Sequence, residues 1–168
     1  MEAYQLEKLI WDDDDFEVMG WHDATIWAIH PDEDAHEFSL DLDYIFKWVD
    51  PGVGETYFKF WVAPVTMVFE NAHAVKIVVD SPLGFEVSDL HRGEPEPAPD
   101  GKLTERSYRF QFPAGTDMNH ELFNEGEIAL RSTGFHMFVR RAPKLLSDQR
   151  FSLTDRGGVG FQRSYSAG

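Results

Sequence analysis

Between Glu37 and Val49 the chain alternates with a period of two. Phe38, Leu40, Leu42, Tyr44, Phe46 and Trp48 are apolar, and Glu37, Ser39, Asp41, Asp43 and Lys47 are polar. Such a repeat sends successive side chains to opposite faces of an extended backbone, so the segment reads as a half-buried strand that needs a partner. The apolar run 24–30 precedes it across Pro31-Asp32-Glu33-Asp34-Ala35, a polar cluster of hairpin length, which predicts an antiparallel pair. With those five residues as the loop, His30 opposes His36 and Asp23 falls opposite Asp43. Ala24, Ile26 and Ala28 then join Phe38, Leu40 and Leu42 on the core face. Asp23, Thr25, Trp27 and Ile29 share the other face with Glu37, Ser39, Asp41 and Asp43.

The rest of the chain continues in the same style. Residues 56–63 alternate Phe58, Phe60 and Val62 with Tyr57, Lys59 and Trp61. Pro64 has no N–H for a ladder and is expected to mark a bend, bulge or strand boundary before a strand at 65–70. Further strands are expected at 75–79 and 85–90, around a turn at 81–84. Residues 92–101 carry three prolines and read as an extended, hydrated loop. A strand at 106–112 follows, then 126–131 and 134–141 as a tight hairpin through Ser132-Thr133. Helix is confined to about two turns at 3–10 and one near 118–123.

This pattern predicts a mainly β, single-domain antiparallel β-sandwich or partly closed barrel with at most one or two short helices, the sandwich being preferred. The 168 residues suit one domain, read as a β-rich unit over 1–154 and a flexible tail over 155–168 that lacks any core pattern.

The chain has no Cys, which excludes disulfides, thiolate metal sites and thiol nucleophiles. No run approaches the length of a membrane-spanning helix, and the first residues lack the pattern of a signal peptide, so the expectation is a cytoplasmic protein. Thirty acidic residues against fifteen Lys and Arg give a net charge of −15. Residues 1–50 hold 15 acids against 2 bases, and residues 101–168 hold 7 against 10. A field of this sign repels phosphate backbones, which argues against nucleic acid, and it attracts a basic protein partner.

Trp21-His22-Asp23, Leu40-Asp41-Leu42-Asp43-Tyr44, Phe60-Trp61-Val62-Ala63-Pro64 and Phe69-Glu70-Asn71, with an echo at Ser132-Thr133-Gly134-Phe135, resemble a family of small bacterial β-rich proteins carrying a domain of unknown function. The resemblance implies a bacterial β-protein and assigns no activity. In size, acidity and aromatic content the chain is also similar to immunity proteins that neutralise toxins.

Two clusters stand out as sites. In the expected register, Asp23 faces Asp43 with Asp41 beside them, and like charges so placed call for a cation. His22, Asp23, Asp41 and Asp43 are therefore candidate ligands for a divalent cation, and a metal-dependent hydrolase is the alternative function. The preferred reading is non-enzymatic: Trp27, Ile29, Asp23, Asp41 and Asp43 form a face for a basic partner or a second copy of the chain. The run Asp12-Asp13-Asp14-Asp15 lacks calcium-loop spacing and reads as a solvated loop or a docking patch. Gly157-Gly158-Val159-Gly160 has the glycines of a phosphate-cradling loop without its Lys, so it does not support nucleotide binding.

Overall fold

The structure, a computed structural model, describes residues 4–80 and 84–166. In chain order the strands are β1 (Ile10–Asp12), β2 (Thr25–Asp32), β3 (Glu37–Val49), β4 (Lys59–Glu70), β5 (His73–Val78), β6 (Phe85–Glu86) and β7 (Asp89–Arg92). They continue with β8 (Glu96–Pro97), β9 (Thr104–Phe112), β10 (Gly115–Thr116), β11 (Leu122–Phe123), β12 (Gly126–Ser132), β13 (Gly134–Val139) and β14 (Lys144–Leu146). One sheet runs β1-β13-β4-β3-β2-β6 with β14 also on β4, and the other runs β5-β12-β9-β7 with β8 on β9. Every pairing is antiparallel. The fold is mainly β, as the alternation predicts, and neither sheet closes into a barrel. No helix among the described residues is long and apolar enough to cross a membrane.

The two sheets share one core. Phe38, Leu40, Leu42 and Tyr44 of β3 and Val65, Met67 and Phe69 of β4 meet Tyr108, Phe110 and Phe112 of β9 and Ile128 and Leu130 of β12. Trp21 closes its end, edge-on to Tyr44 (5.4 Å), Phe110 (6.1 Å) and Phe135 (6.1 Å).

Four local expectations are corrected. The β2–β3 hairpin forms, but Asp32 pairs with Glu37 and Thr25 with Asp43, so the register is two to three residues away from His30 opposite His36. The turn is four residues long, and a bulge at Trp27 shifts the pairing once more. Residues 126–139 are no hairpin: β12 and β13 lie in different sheets, and the chain crosses between them at Thr133. That corner is held by the Ser132 hydroxyl donating to the Glu70 carbonyl (2.6 Å), with Gly134 at φ +156.

Pro64 does not break β4. On one side the strand pairs with β13 over 65–70 and with β14 over 60–62, and Pro64 falls in the gap where no ladder N–H is needed. Helix is absent from the described part of 3–10, and residues 115–123 make the β10–β11 hairpin instead. The turn expected at 81–84 lies mostly outside the described residues.

The single helix among the described residues is a 3₁₀ segment, Asp13–Val18, built from the aspartate run. Asp12 caps it by accepting from the Asp14 N–H (3.0 Å), and Asp15 accepts from the Asp12 N–H (2.9 Å). Asp13 docks the helix on the sandwich, accepting from the Tyr108 hydroxyl (2.6 Å) and from Arg92 (3.1 Å). Only Asp14 of the four is exposed, so most of the run serves the fold.

Candidate functional site

Asp41 and Asp43 stand two residues apart on the face of β3 that points away from the shared core, and both are 0% exposed. A carboxylate taken out of water destabilises the fold unless donors fill its oxygens. All but one of the donors come from residues 140–160. Arg156 donates to Asp41 Oδ2 (2.8 Å) and Oδ1 (2.6 Å) and to Asp43 Oδ1 (3.2 Å). Arg140 also donates to Asp41, as does the Gly160 N–H (2.8 Å). Asp43 Oδ2 accepts from the Phe151 N–H (2.9 Å) and the Trp27 indole (2.9 Å).

The two guanidinium groups differ in how they are held. Burial works against the Arg156 charge, yet its hydrogen bond to Asp41 and the Asp43 charge outweigh that, and its pKa rises. Burial pulls the Arg140 pKa down, with Asp41 opposing and the Arg156 charge adding to the fall.

Residues 151–163 therefore lie along β3 from Asp43 to Glu37. Phe151 packs with Ile45, Phe60 and Val62 in a second small core. Further on, Phe161 lies 5.3 Å from the His30 ring, Thr66 donates to the Gln162 carbonyl (2.8 Å), and Arg163 pairs with Glu37 (3.2 Å). The segment expected to fray carries the buried Arg156.

This geometry divides the proposed site residues. Asp41 and Asp43 have their oxygens filled. Trp27 is half-buried, its indole N–H bonded to Asp43 and its ring beneath Arg156 (5.2 Å) and Arg150 (5.8 Å). Ile29 is 37% exposed at the sheet margin. Asp23 is not opposite Asp43; it precedes β2 at φ +67, buried, pairing with His22 (2.8 Å) and accepting from Gln149 (2.6 Å). His22, Asp23, Asp41 and Asp43 thus do not converge. Among the described residues, no three His, Asp or Glu side chains are grouped to hold a metal ion.

Beside Asp23 a cleft of about 640 Å³ opens, bounded by Thr25 and Glu86 on the β2–β6 edge, by Phe112 and Phe123, and by residues 148–152. Partial burial, and then the Asp23 charge, raise the Glu86 pKa, with Arg150 and His22 acting the other way. Aromatic walls beside the carboxylates of Glu86 and Asp148 suit a cationic side chain with an apolar stem. Glu86, Asp148 and Arg156 carry no sequence pattern. The one signal for Arg156 is the charge imbalance, since the first fifty residues hold 15 acids against 2 bases and only the last third has an excess of bases.

Comparison with protein-family models, with curated proteins and with solved structures finds no match for the chain.

Proposed function

We propose that the protein is a non-enzymatic binding module, of the immunity-protein kind, that captures a basic protein partner in the cytoplasm. The recognition centre is the cleft, where Glu86 and Asp148 receive a Lys or Arg side chain of the partner, with Asp23 and Trp27 behind the lining residues Gln149 and Arg150. Asp41 and Asp43 support that face from beneath and do not touch the partner.

The observation that carries this reading is Glu86. It lines the cleft with Asp148, Phe112 and Phe123, and partial burial and Asp23 disfavour its charge more than Arg150 of the same lining and His22 favour it, so a further cation is accommodated there. The long-range field acts in the same direction. At least ten of the fifteen Lys and Arg side chains are engaged with the chain's own carboxylates, which leaves the acidic excess uncompensated on the surface. The hydrolase alternative needs three converging ligands, and nothing in this geometry favours it.

The test is fluorescence anisotropy with a labelled pentapeptide that has arginine between leucines. Saturable binding is expected, weakening as salt rises from about 0.05 to 0.5 M. Glu86→Gln with Asp148→Asn should weaken it about tenfold or more. Absence of saturable binding, equal binding of a citrulline peptide, or indifference to the double substitution would each overturn the reading.

A further inference from the structure

On the far side of the Asp41 network lies a smaller pocket of opposite character. It measures about 260 Å³ and is lined by Arg140, Arg141 and Arg156, by the serines Ser164 and Ser166, and by no acidic residue, in a chain that has thirty. Arg140 and Arg156 pair with Asp41 and Asp43, and the third guanidinium of the lining carries a charge with no ion pair among the described residues. That charge resides on Arg141. It has no carboxylate partner among the described residues and donates only to the Asp155 (3.2 Å) and Arg156 (2.6 Å) carbonyls.

A second observation is independent of this count. Arg140 is 8% exposed, and its Nε is a buried donor with no acceptor among the described residues. An orphaned charged donor in the wall of the pocket marks a place where an acceptor is missing. The glycines at 157 and 158 complete the wall. Both adopt positive φ (+81 and +85), a turn that side chains disfavour, and at Gly157 the missing β-carbon leaves open the space beside the Arg141 guanidinium.

We propose that this pocket binds a small oxyanion of the phosphoryl class, free or as a compact phosphate ester. The Arg141 guanidinium and the Ser164 and Ser166 hydroxyls, on separate segments, supply the mixed donors that a tetrahedral, multiply charged oxyanion takes better than a planar carboxylate, while Arg140 and Arg156, bonded within the chain, add positive field behind them. The site is distinct from the cleft and does not depend on its function.

Isothermal titration of the full chain with inorganic phosphate, and separately with acetate, at constant ionic strength tests the assignment. Saturable phosphate binding is expected, tighter than acetate. Arg141→Gln should weaken it at least about tenfold, while Arg141→Lys retains part of the affinity. Ser164→Ala with Ser166→Ala should weaken it less, and Glu86→Gln should leave it unchanged. No saturable phosphate binding, acetate bound as tightly, or unaltered affinity in Arg141→Gln would overturn the proposal. Should Arg141→Gln fail to fold, unaltered affinity in the double serine variant overturns it.

Discussion

The two faces of β3 are both buried, by different physics. Inward, Phe38, Leu40, Leu42 and Tyr44 pack into the apolar core between the sheets, where stabilisation scales with apolar area and tolerates changes of shape. Outward, Asp41 and Asp43 are equally removed from water but depend on Arg156, Arg140, Gly160, Phe151 and Trp27 for every oxygen they present. An apolar face loses stability in proportion to what is removed. An ionic one is all or nothing, because the survivor of a broken pair stays buried and charged.

The largest test of this contrast is Arg156→Met. It leaves two carboxylates facing only Arg140, the indole and backbone donors, and the expected loss is about 3 to 5 kcal/mol in chemical denaturation. The loss should be little changed by salt up to about 1 M, because a fully buried pair is poorly screened. A cost below about 1 kcal/mol would mean that the end of the chain does not cover the face.

Leu40→Ala on the other face should cost about 2 to 5 kcal/mol and leave residues 151–163 in place, because the cavity opens on the opposite side of the sheet. Hydrogen exchange separates the two variants. Arg156→Met should release protection at the Phe151 and Gly160 amides, which donate to Asp43 and Asp41, and Leu40→Ala should not at equal stability.

The same contrast explains what could be read in advance. The inward face was legible because a period of two in large apolar residues is a local signal, and it identified Phe38, Leu40, Leu42 and Tyr44 as core. The outward face carries the same alternation in polar residues, which locally looks like a solvent side. Its cover comes from more than a hundred positions away, in a glycine-rich segment with no periodicity: Arg156 reaches Asp41 across a separation of 115 residues. The register also escaped local reading, because the Trp27 bulge and the four-residue turn each move the pairing while preserving the pattern of Glu37–Val49. Of the candidate site, Asp23 and Trp27 were named from sequence, whereas Glu86 and Asp148 sit in segments too short or irregular to signal anything.

A smaller effect tests the cover along its length. Arg163 is about half exposed where it pairs with Glu37, whereas Arg156 is fully enclosed. Arg163→Ala should cost no more than about 1 kcal/mol and the difference should fade with salt, as for surface pairs. A cost rivalling that of Arg156→Met would place the anchor of the segment at its far end.

The finest distinction is between two carboxylates outside the Asp41 network, and it is read in pH. Glu105 on β9 is buried against His73 (2.7 Å) and Arg131 (2.5 Å), and these hydrogen bonds, His73 first, hold its pKa below the usual glutamate value. Unfolding restores the usual value, so between the two the unfolded chain binds more protons and stability rises with pH. The contribution is complete above the ordinary carboxylate range and disappears as pH falls through the lowered value. Glu86 has the opposite sign. Burial and Asp23 raise its pKa, so the folded state binds more protons in its window and stability falls as pH rises through it. Thermal unfolding over about pH 3 to 6 should therefore show Glu105→Gln flattening the acid limb, and Glu86→Gln steepening the rise above it. If Glu86→Gln instead flattened the profile, Glu86 would already be paired with a cation of its own chain, and the cleft would have no charge to offer a partner.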